Sequence, residues 1–307
     1  MNGLELSRAY YEEYGLPMLK EQFGKELDRI AVGLCGHGSE CFGFDDEISR
    51  DHDFEPGFCL WLTEEDERAF GFRLFRAYRR LPKEYAGVRL VEQSALGSKT
   101  RGVHTIGEFY SYYTGRPGAP ETAEEWLRIP SFFLAEATNG EVFADPLGIF
   151  TRIREEIRFG MPRDVRLKRL ASALFLMAQT GQYNFARCLS HGERGGAALA
   201  LHEFVKNAAE TIFLLNDAYA PYYKWVFRAM RRLPLLGDRS GELESLLWQA
   251  EDDRAKIERI ESLSSSVIAC LVGRGLVSFR GGYLEPYAFC INDLIEDSSL
   301  RNLPVPL

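Results

Sequence analysis

Residues 36–53 read Gly36-His-Gly-Ser-Glu-Cys-Phe-Gly-Phe-Asp-Asp-Glu-Ile-Ser-Arg-Asp-His-Asp53, in which a Gly-Ser pair is followed, after eleven residues, by an Asp-X-Asp pair. In a β-strand, side chains two residues apart point to the same face, so Asp51 and Asp53 would present their carboxylates side by side. Like charges held this close favour a divalent cation between them, and magnesium prefers such oxygen ligands. The spacing therefore predicts a metal site on Asp51 and Asp53.

The Gly-Ser pair supplies groups that suit a phosphate. Gly38 allows close approach of the backbone, and Ser39 offers a hydroxyl and a backbone N–H. Each pair alone is common in ordinary turns. Apolar strand candidates at residues 29–35 and 54–62 flank the stretch, and this combination predicts that Mg²⁺, with Mn²⁺ as an alternative, joins the acids to a triphosphate held by the Gly-Ser turn.

The first half of the chain has a mixed pattern of helix and strand signals. The N-terminus has apolar residues at helical spacing, and residues 63–66 resemble a helix start with an apolar stripe behind it. Further strand candidates are residues 88–91, 103–106 and 140–143, the last of which follows a turn at residues 138–140. We expect residues 1–150 to form a domain with a mixed sheet and helices.

The second half of the chain has helical periodicity throughout. Pro162 precedes an apolar helix that extends to Gly181, and further helices are predicted at residues 197–216, 222–233 and 242–272. Residues 151–307 therefore read as an all-α helical bundle, and the fold class as α+β. We expect the two domains to enclose a substrate cleft.

Composition narrows the class of protein. The chain has 307 residues, 46% of them hydrophobic, and no uniformly apolar stretch of about 20 residues that would span a membrane. Six cysteines without a Cys-X-X-Cys pair, together with no export signal, predict reduced thiols in a cytoplasmic protein and argue against zinc. The net charge of −8 disfavours a general affinity for nucleic acid but leaves a local basic groove open.

The spacing of the two pairs resembles the nucleotidyltransferase signature of the polymerase-beta superfamily. A wider set of segments resembles a bacterial family that carries the uncharacterised domain DUF4037 and joins a nucleotidyltransferase-like domain to a helical one. The segments are residues 38–53, Glu125-Trp-Leu127, Thr138-Asn-Gly-Glu-Val-Phe-Ala-Asp145, Gly181-Gln-Tyr-Asn184 with Arg187, and Leu215-Asn216 with Pro221-Tyr-Tyr-Lys-Trp225.

This resemblance implies a reaction and a set of residues. The chain would transfer a nucleoside monophosphate from a nucleoside triphosphate to an acceptor and release pyrophosphate. Lys224, Arg187 and Tyr183 of the helical domain would face the nucleotide or the acceptor. Pro221 suggests a helix start that places Lys224 in the first turn. Helical domains of small-molecule nucleotidyltransferases are similar, so a small-molecule acceptor is favoured over an RNA end or a protein side chain.

Members of the superfamily also use a third carboxylate on a later strand. Glu92 is the first candidate, and Glu108 and Asp145 are rivals. A chain without this acid would fit a catalytically weak or inactive nucleotide-binding module, and an RNA-modifying toxin is a further alternative that would need a basic surface. His37 and His52 are interpreted as residues that support the site rather than as bases. The acceptor, the preferred nucleotide and the oligomeric state stay open.

Overall fold

The structure is a computed structural model that describes residues 1–46, 56–89, 101–249 and 252–307. The chain divides into two compact units. The first contains Met1–Glu125 and Phe133–Gly160, and the second contains Trp126–Phe132 and Met161–Leu307. A mixed sheet in the first unit and a largely helical chain confirm the predicted α+β class.

The main sheet of the first unit has four strands. In chain order they are β1 (Ala31–Leu34), β2 (Cys59–Leu62), β5 (Gly102–Thr105) and β6 (Glu141–Ala144), and a separate hairpin pairs β3 (Glu84–Tyr85) with β4 (Val88–Arg89). The order across the sheet is β5-β2-β1-β6. Strand β1 runs antiparallel to β2 and β6, whereas β2 and β5 are parallel. The sheet is therefore mixed, with β1 and β2 at its centre.

Helices accompany this sheet. In the first unit they are α1 (Gly3–Tyr10), α2 (Leu16–Gln22), α3 (Glu64–Asp66), α4 (Phe72–Tyr78), α5 (Ile106–Thr114) and α8 (Ile149–Phe159). Helices α6 (Ala123–Arg128) and α7 (Ser131–Thr138) each have residues in both units. Every residue of β1 and β2 is buried, so the two central strands are covered on both faces. Leu60 and Leu62 join one aromatic core with Phe23 and Phe58, while Trp61 stacks on Phe150 at 3.9 Å. Alternation along β2 explains this division.

Helix α8 marks the end of the first unit. Phe150, Ile153 and Ile157 are buried, and the Phe150 ring packs against Trp61, so α8 stays with the sheet. The last crossing of the chain from the first unit to the second consequently follows Gly160.

The described residues of the second unit form helices without strands. The helices that begin in this part of the chain are α9 (Arg163–Met177), α10 (Ala186–Ser190), α11 (Arg194–Leu215), α12 (Val226–Met230), α13 (Ser240–Trp248), α14 (Asp253–Gly273), α15 (Glu285–Asp293) and α16 (Ser298–Arg301). Helix α9 is central, because it packs against both α11 and α15. Its buried Lys168 donates to the Asn292 side chain at 2.9 Å and to the Leu303 carbonyl at 2.7 Å. Across the described ranges, no helix has the length and apolar character needed to cross a membrane.

Two predicted helices of the second half differ from the structure. The stretch at residues 242–272 is two helices, α13 and α14, because Asp252 caps α14 by accepting a hydrogen bond from the Ala255 backbone at 2.7 Å. The stretch at residues 222–233 contains only the short α12, which begins at Val226 and not at Pro221. The periodicity of apolar residues continues across both interruptions and therefore does not reveal them.

Candidate functional site

The loop after β1 carries the predicted Gly-Ser turn. Gly36 and Gly38 have φ values of +106° and +116°, which side chains with a Cβ rarely adopt. The amide side chain of Asn139 clamps Gly36, since it accepts from the Gly36 N–H and donates to the Gly36 carbonyl, both at 2.8 Å. Arg154 donates to the Asn139 carbonyl at 3.0 Å and holds this clamp against the loop. The turn is therefore held in place by residues that lie far from it in the sequence.

A buried ion pair supports the same loop. Glu40 lies 3.2 Å from Arg101, and both side chains are buried. A Cβ on Gly38 would lie 2.5 Å from the Glu40 carboxylate, so a side chain at this position would have to displace that carboxylate. Arg101 compensates the negative charge of Glu40 beside the turn, which reduces its repulsion of an anion.

Ser39 and the neighbouring backbone retain unused hydrogen-bonding groups. In the described ranges, the Ser39 hydroxyl makes no hydrogen bond, and the backbone N–H groups of His37, Gly38 and Ser39 donate to no other group. The Ser39 carbonyl accepts from the backbones of Phe42 and Phe44, so the turn is held without those donors. Successive backbone N–H groups in such a turn form a concave site for an anion such as phosphate.

His37 has partners that the sequence did not reveal. Its Nδ1 lies 2.7 Å from Oε2 of the buried Glu136, and its Nε2 lies 2.9 Å from the Tyr112 hydroxyl. Burial raises the pKa of the neighbouring Tyr113 hydroxyl, and the charge of Glu136 raises this pKa further. His37 thus lies between Glu136 and Tyr112 beside the loop, which fits a histidine that supports the loop. The sequence signal that could have revealed Glu136 is its position as the one carboxylate in the otherwise largely apolar helix α7.

The cysteines around the loop are buried. Burial raises the pKa of Cys35 and Cys59 to about 12, and it also raises the pKa of Cys41. A thiol with such a pKa stays protonated near neutral pH, and only the thiolate reacts or binds metal readily. The six cysteines are free, as the sequence predicts.

The predicted metal ligands Asp51 and Asp53 lie outside the described residues, as does Glu92. The sequence predicts a strand at residues 54–62, but strand β2 begins only at Cys59. The described residues 56–58 precede this strand. Within the described ranges, no cluster of three or more potential metal ligands occurs.

The two rival acids have structural roles. The Glu108 carboxylate accepts a hydrogen bond from the Thr105 backbone N–H at 3.0 Å, and the Thr105 hydroxyl accepts one from the Glu108 backbone N–H at 3.0 Å. These two bonds form a capping box at the start of α5. Asp145 accepts from the Thr151 backbone at 2.7 Å in the first turn of α8. Both carboxylates therefore hold helix starts.

The three candidates of the second unit are exposed. Arg187 lies over the Tyr183 ring, with its guanidinium carbon 5.6 Å from the ring centroid, and the pair forms a cation–π contact. Lys224 has no ion pair or hydrogen bond with the described residues. It lies in a turn before α12, so its predicted position in the first turn of a helix is wrong. The reason is that Pro221 is followed by a turn rather than by a helix.

Known proteins are similar to parts of this chain. A search of curated proteins finds no significant match. The solved structure of a nucleotidyltransferase-like protein from Exiguobacterium sibiricum 255-15 aligns with this chain at 12% sequence identity and a TM-score of 0.38. The alignment covers 85% of this chain and 77% of that protein's chain. A family model, described as a domain of unknown function (DUF4037), matches residues 126–226. Over these residues the predicted resemblance to the DUF4037 family is confirmed.

Proposed function

We propose that this protein is a magnesium-dependent nucleotidyltransferase that moves a nucleoside monophosphate from a nucleoside triphosphate to an acceptor. The observation that carries this proposal is the loop after the central strand β1. Its two glycines at positive φ, the hydroxyl of Ser39 and three backbone N–H groups are held in place by Asn139 and by the pair of Glu40 and Arg101. Such a loop suits a polyphosphate.

The acidic pair supplies the second part of the proposal. Asp51 and Asp53 follow the loop in the sequence at the spacing of the superfamily signature, and carboxylate oxygens are the ligands that Mg²⁺ prefers. These two residues would hold Mg²⁺, with Mn²⁺ as an alternative, and the ion would neutralise charge on the phosphates. Glu92 is proposed as the third carboxylate.

The reaction is an in-line displacement at the α-phosphorus. A new bond forms from the acceptor oxygen or nitrogen to the α-phosphorus, the bond to the bridging oxygen breaks, and pyrophosphate leaves. The acceptor proton passes to a carboxylate, for which Glu92 is the candidate. Gly38 and Ser39 bind the phosphates and keep the α-phosphorus oriented. Tyr183, Arg187 and Lys224 stay predictions of the resemblance for contacts with the nucleotide or acceptor.

A paired substitution tests the metal site. The variant Asp51→Asn with Asp53→Asn should lose magnesium-dependent binding of nucleoside triphosphates by calorimetric titration, because neutral amides hold the ion weakly. The matched control Asp28→Asn with Glu67→Gln removes two exposed acids of the same unit and should bind as the unchanged protein does. Equal affinity in the two double variants would refute the metal site.

A label experiment tests the transfer. The protein is incubated with magnesium, a cell extract and each nucleoside triphosphate labelled at the α-phosphate, and the labelled product is separated by size and charge. A labelled small molecule is the expected product, and labelled RNA or protein would name another acceptor. The engagement of Glu108 and Asp145 in helix caps favours one second candidate, a nucleotide-binding module without turnover. That candidate predicts tight nucleotide binding and no labelled product.

A further inference from the structure

A cavity of about 780 Å³ lies wholly within the second unit. Its walls come from α9, α11, α12 and α13, together with residues 130–132 and 220–223. A volume of this size suits a small organic molecule. All lining residues except Phe227 and Leu247 belong to the segment that the DUF4037 model matches. The proposed nucleotide chemistry does not use this cavity.

Aromatic rings form one side of the cavity. The rings of Phe132 and Tyr222 lie 5.5 Å apart and edge to face, and the rings of Tyr222 and Tyr223 lie 4.3 Å apart. Tyr223 is 69% exposed and Tyr222 is 37% exposed, so water contacts both rings. Flat apolar molecules pack on such rings, and the negative face of a tyrosine ring attracts a cation.

A polar cluster interrupts the apolar wall. Glu210 accepts a hydrogen bond from the Ser131 hydroxyl at 2.5 Å, and Arg169 donates to the same hydroxyl at 3.2 Å. The Glu210 carboxylate and the Arg169 guanidinium are 3.8 Å apart. Two further hydrogen bonds tie Arg169 to the carbonyls of Trp126 and Ile129. Most hydrogen-bond donors of Arg169 are therefore already bonded to other residues of the protein.

Exposure decides which charge a ligand reaches. The Glu210 side chain is 26% exposed, whereas that of Arg169 is 10% exposed, and the Arg169 Nε is buried. At the exposed rim, Glu203 lies 3.4 Å from Lys206, so these two charges compensate each other. Of the Arg169–Glu210 pair, the more accessible group is thus the Glu210 carboxylate, in a cavity that Phe132 and Tyr222 also line. This combination selects for a cation with an apolar body.

We propose that this cavity binds a small aromatic amine. The flat ring of the ligand packs against Phe132 and Tyr222, and its ammonium group donates to Glu210, with the Ser131 hydroxyl as a second acceptor. The site is independent of the proposed nucleotidyl transfer, because its residues bind the amine in the absence of nucleotide and metal.

Three probes with one ring system test the charge preference on the full chain. They are tryptamine, 3-ethylindole and indole-3-propionate, which are cationic, neutral and anionic, and each is titrated calorimetrically up to its solubility limit. Tryptamine should bind about tenfold more tightly than 3-ethylindole, as one charge-assisted hydrogen bond implies, and the anion should bind least. Failure of tryptamine to bind, or equal affinity for all three, overturns the proposal.

Two variants separate Glu210 from the rim. Glu210→Gln keeps an acceptor for Ser131 and should lower tryptamine affinity to that of 3-ethylindole, while the affinity for 3-ethylindole stays unchanged. Glu203→Gln removes one rim charge and should retain the preference for tryptamine. A preference that survives Glu210→Gln, with a melting temperature equal to that of the unchanged protein, places the amine elsewhere and refutes the site.

Light scattering tests the rival occupant of the aromatic wall, which is a second copy of this chain. A monomer that binds tryptamine supports the proposal. If the chain is a dimer that dissociates on Tyr223→Ser, and if tryptamine does not bind the dimer, then the wall is an interface between copies and the proposal is wrong.

Discussion

Two serines of the first unit differ in what their hydroxyl groups contact. Ser7 is fully buried, and its hydroxyl donates to the Gly57 carbonyl at 2.6 Å. Ser39 lies in the loop after β1, and its hydroxyl makes no hydrogen bond within the described part of the chain. A buried hydroxyl with one partner contributes to folding, whereas an unused hydroxyl in a rigid turn is available to a ligand.

We predict that Ser39→Ala weakens triphosphate binding by about 1.5–3 kcal/mol, because one charge-assisted hydrogen bond is lost. The melting temperature should stay the same, since this hydroxyl has no described partner in the fold. Titration calorimetry and thermal unfolding measure the two effects. Ser7→Ala is the control, and it should leave affinity intact while lowering stability by about 1–3 kcal/mol. A Ser39→Ala protein that is destabilised but binds normally would make Ser39 a structural turn residue.

Asp66 gives the folded first unit a pH dependence. Burial raises the pKa of Asp66, but hydrogen bonds from Arg29 and Thr63 outweigh burial and hold the pKa below its ordinary value. A lowered pKa means that the carboxylate stabilises the fold above the ordinary pKa of about 4. This contribution is lost as the pH falls through the lowered pKa.

We therefore expect Asp66→Asn to reduce the free energy of unfolding by about 1 kcal/mol at pH 7, because Arg29 and Thr63 lose a charged acceptor. The difference from the unchanged protein should shrink at acidic pH, below about 4. Urea unfolding at a series of pH values measures it. Glu65→Gln is the matched control, since Glu65 is largely exposed and lies 4.0 Å from Arg29. A constant difference at all pH values would contradict the assigned role.

At the scale of elements, close packing of helices depends on single glycines. Gly181 lies in the π-helical segment Ala178–Phe185, which packs against α11. A Cβ at Gly181 would collide with the ring of the buried Phe204. Gly195, in the first turn of α11, has open space where a Cβ would be. The two glycines thus differ in the room around them.

We predict opposite effects of alanine at these positions. Gly181→Ala should destabilise the second unit by about 1–3 kcal/mol, because Phe204 must leave its place in the core. Gly195→Ala should be neutral or stabilising by up to about 1 kcal/mol, since alanine favours a helix more than glycine does. Urea unfolding followed by circular dichroism compares them. Equal stability of the two variants would show that α11 moves away from the π-helical segment without cost.

At the scale of the whole molecule, a short segment belongs to the second unit, although the residues on both sides of it in the sequence belong to the first. Residues Trp126–Phe132 are part of the second unit although residues 133–160 return to the first. Trp126 and Ile129 are buried, and their carbonyls accept hydrogen bonds from Arg169. The segment is therefore anchored to α9 through Arg169.

We predict that a fragment of residues 161–307 is less stable than a fragment of residues 126–307. Loss of the buried Trp126 side chain alone should cost about 3–5 kcal/mol, and Arg169 loses its carbonyl partners. Thermal unfolding by circular dichroism compares the fragments. Addition of a peptide of residues 126–132 should raise the melting temperature of the shorter fragment. Equal melting temperatures would mean that the segment contributes nothing to this unit.

Local patterns predicted the parts of the fold that depend on near neighbours. The apolar run before Gly36 became β1, and the turn at residues 138–140 led into β6. Helix α5 was missed, although Thr105 and Glu108 form a capping box that the sequence contains. The break between α13 and α14 was also missed, because apolar spacing continues through it. Asp252 was the local signal for that break.

The sequence by itself determined the α+β class, the Gly-Ser turn after a strand, the acidic pair that follows it and the DUF4037 resemblance, because each depends on residue types at short spacing. Only the tertiary structure decided that Asn139 clamps Gly36, that Glu136 contacts His37, and that residues 131, 169 and 210 line one cavity. Such contacts join residues far apart in the chain. They arise from burial and packing of whole helices, which periodicity does not encode.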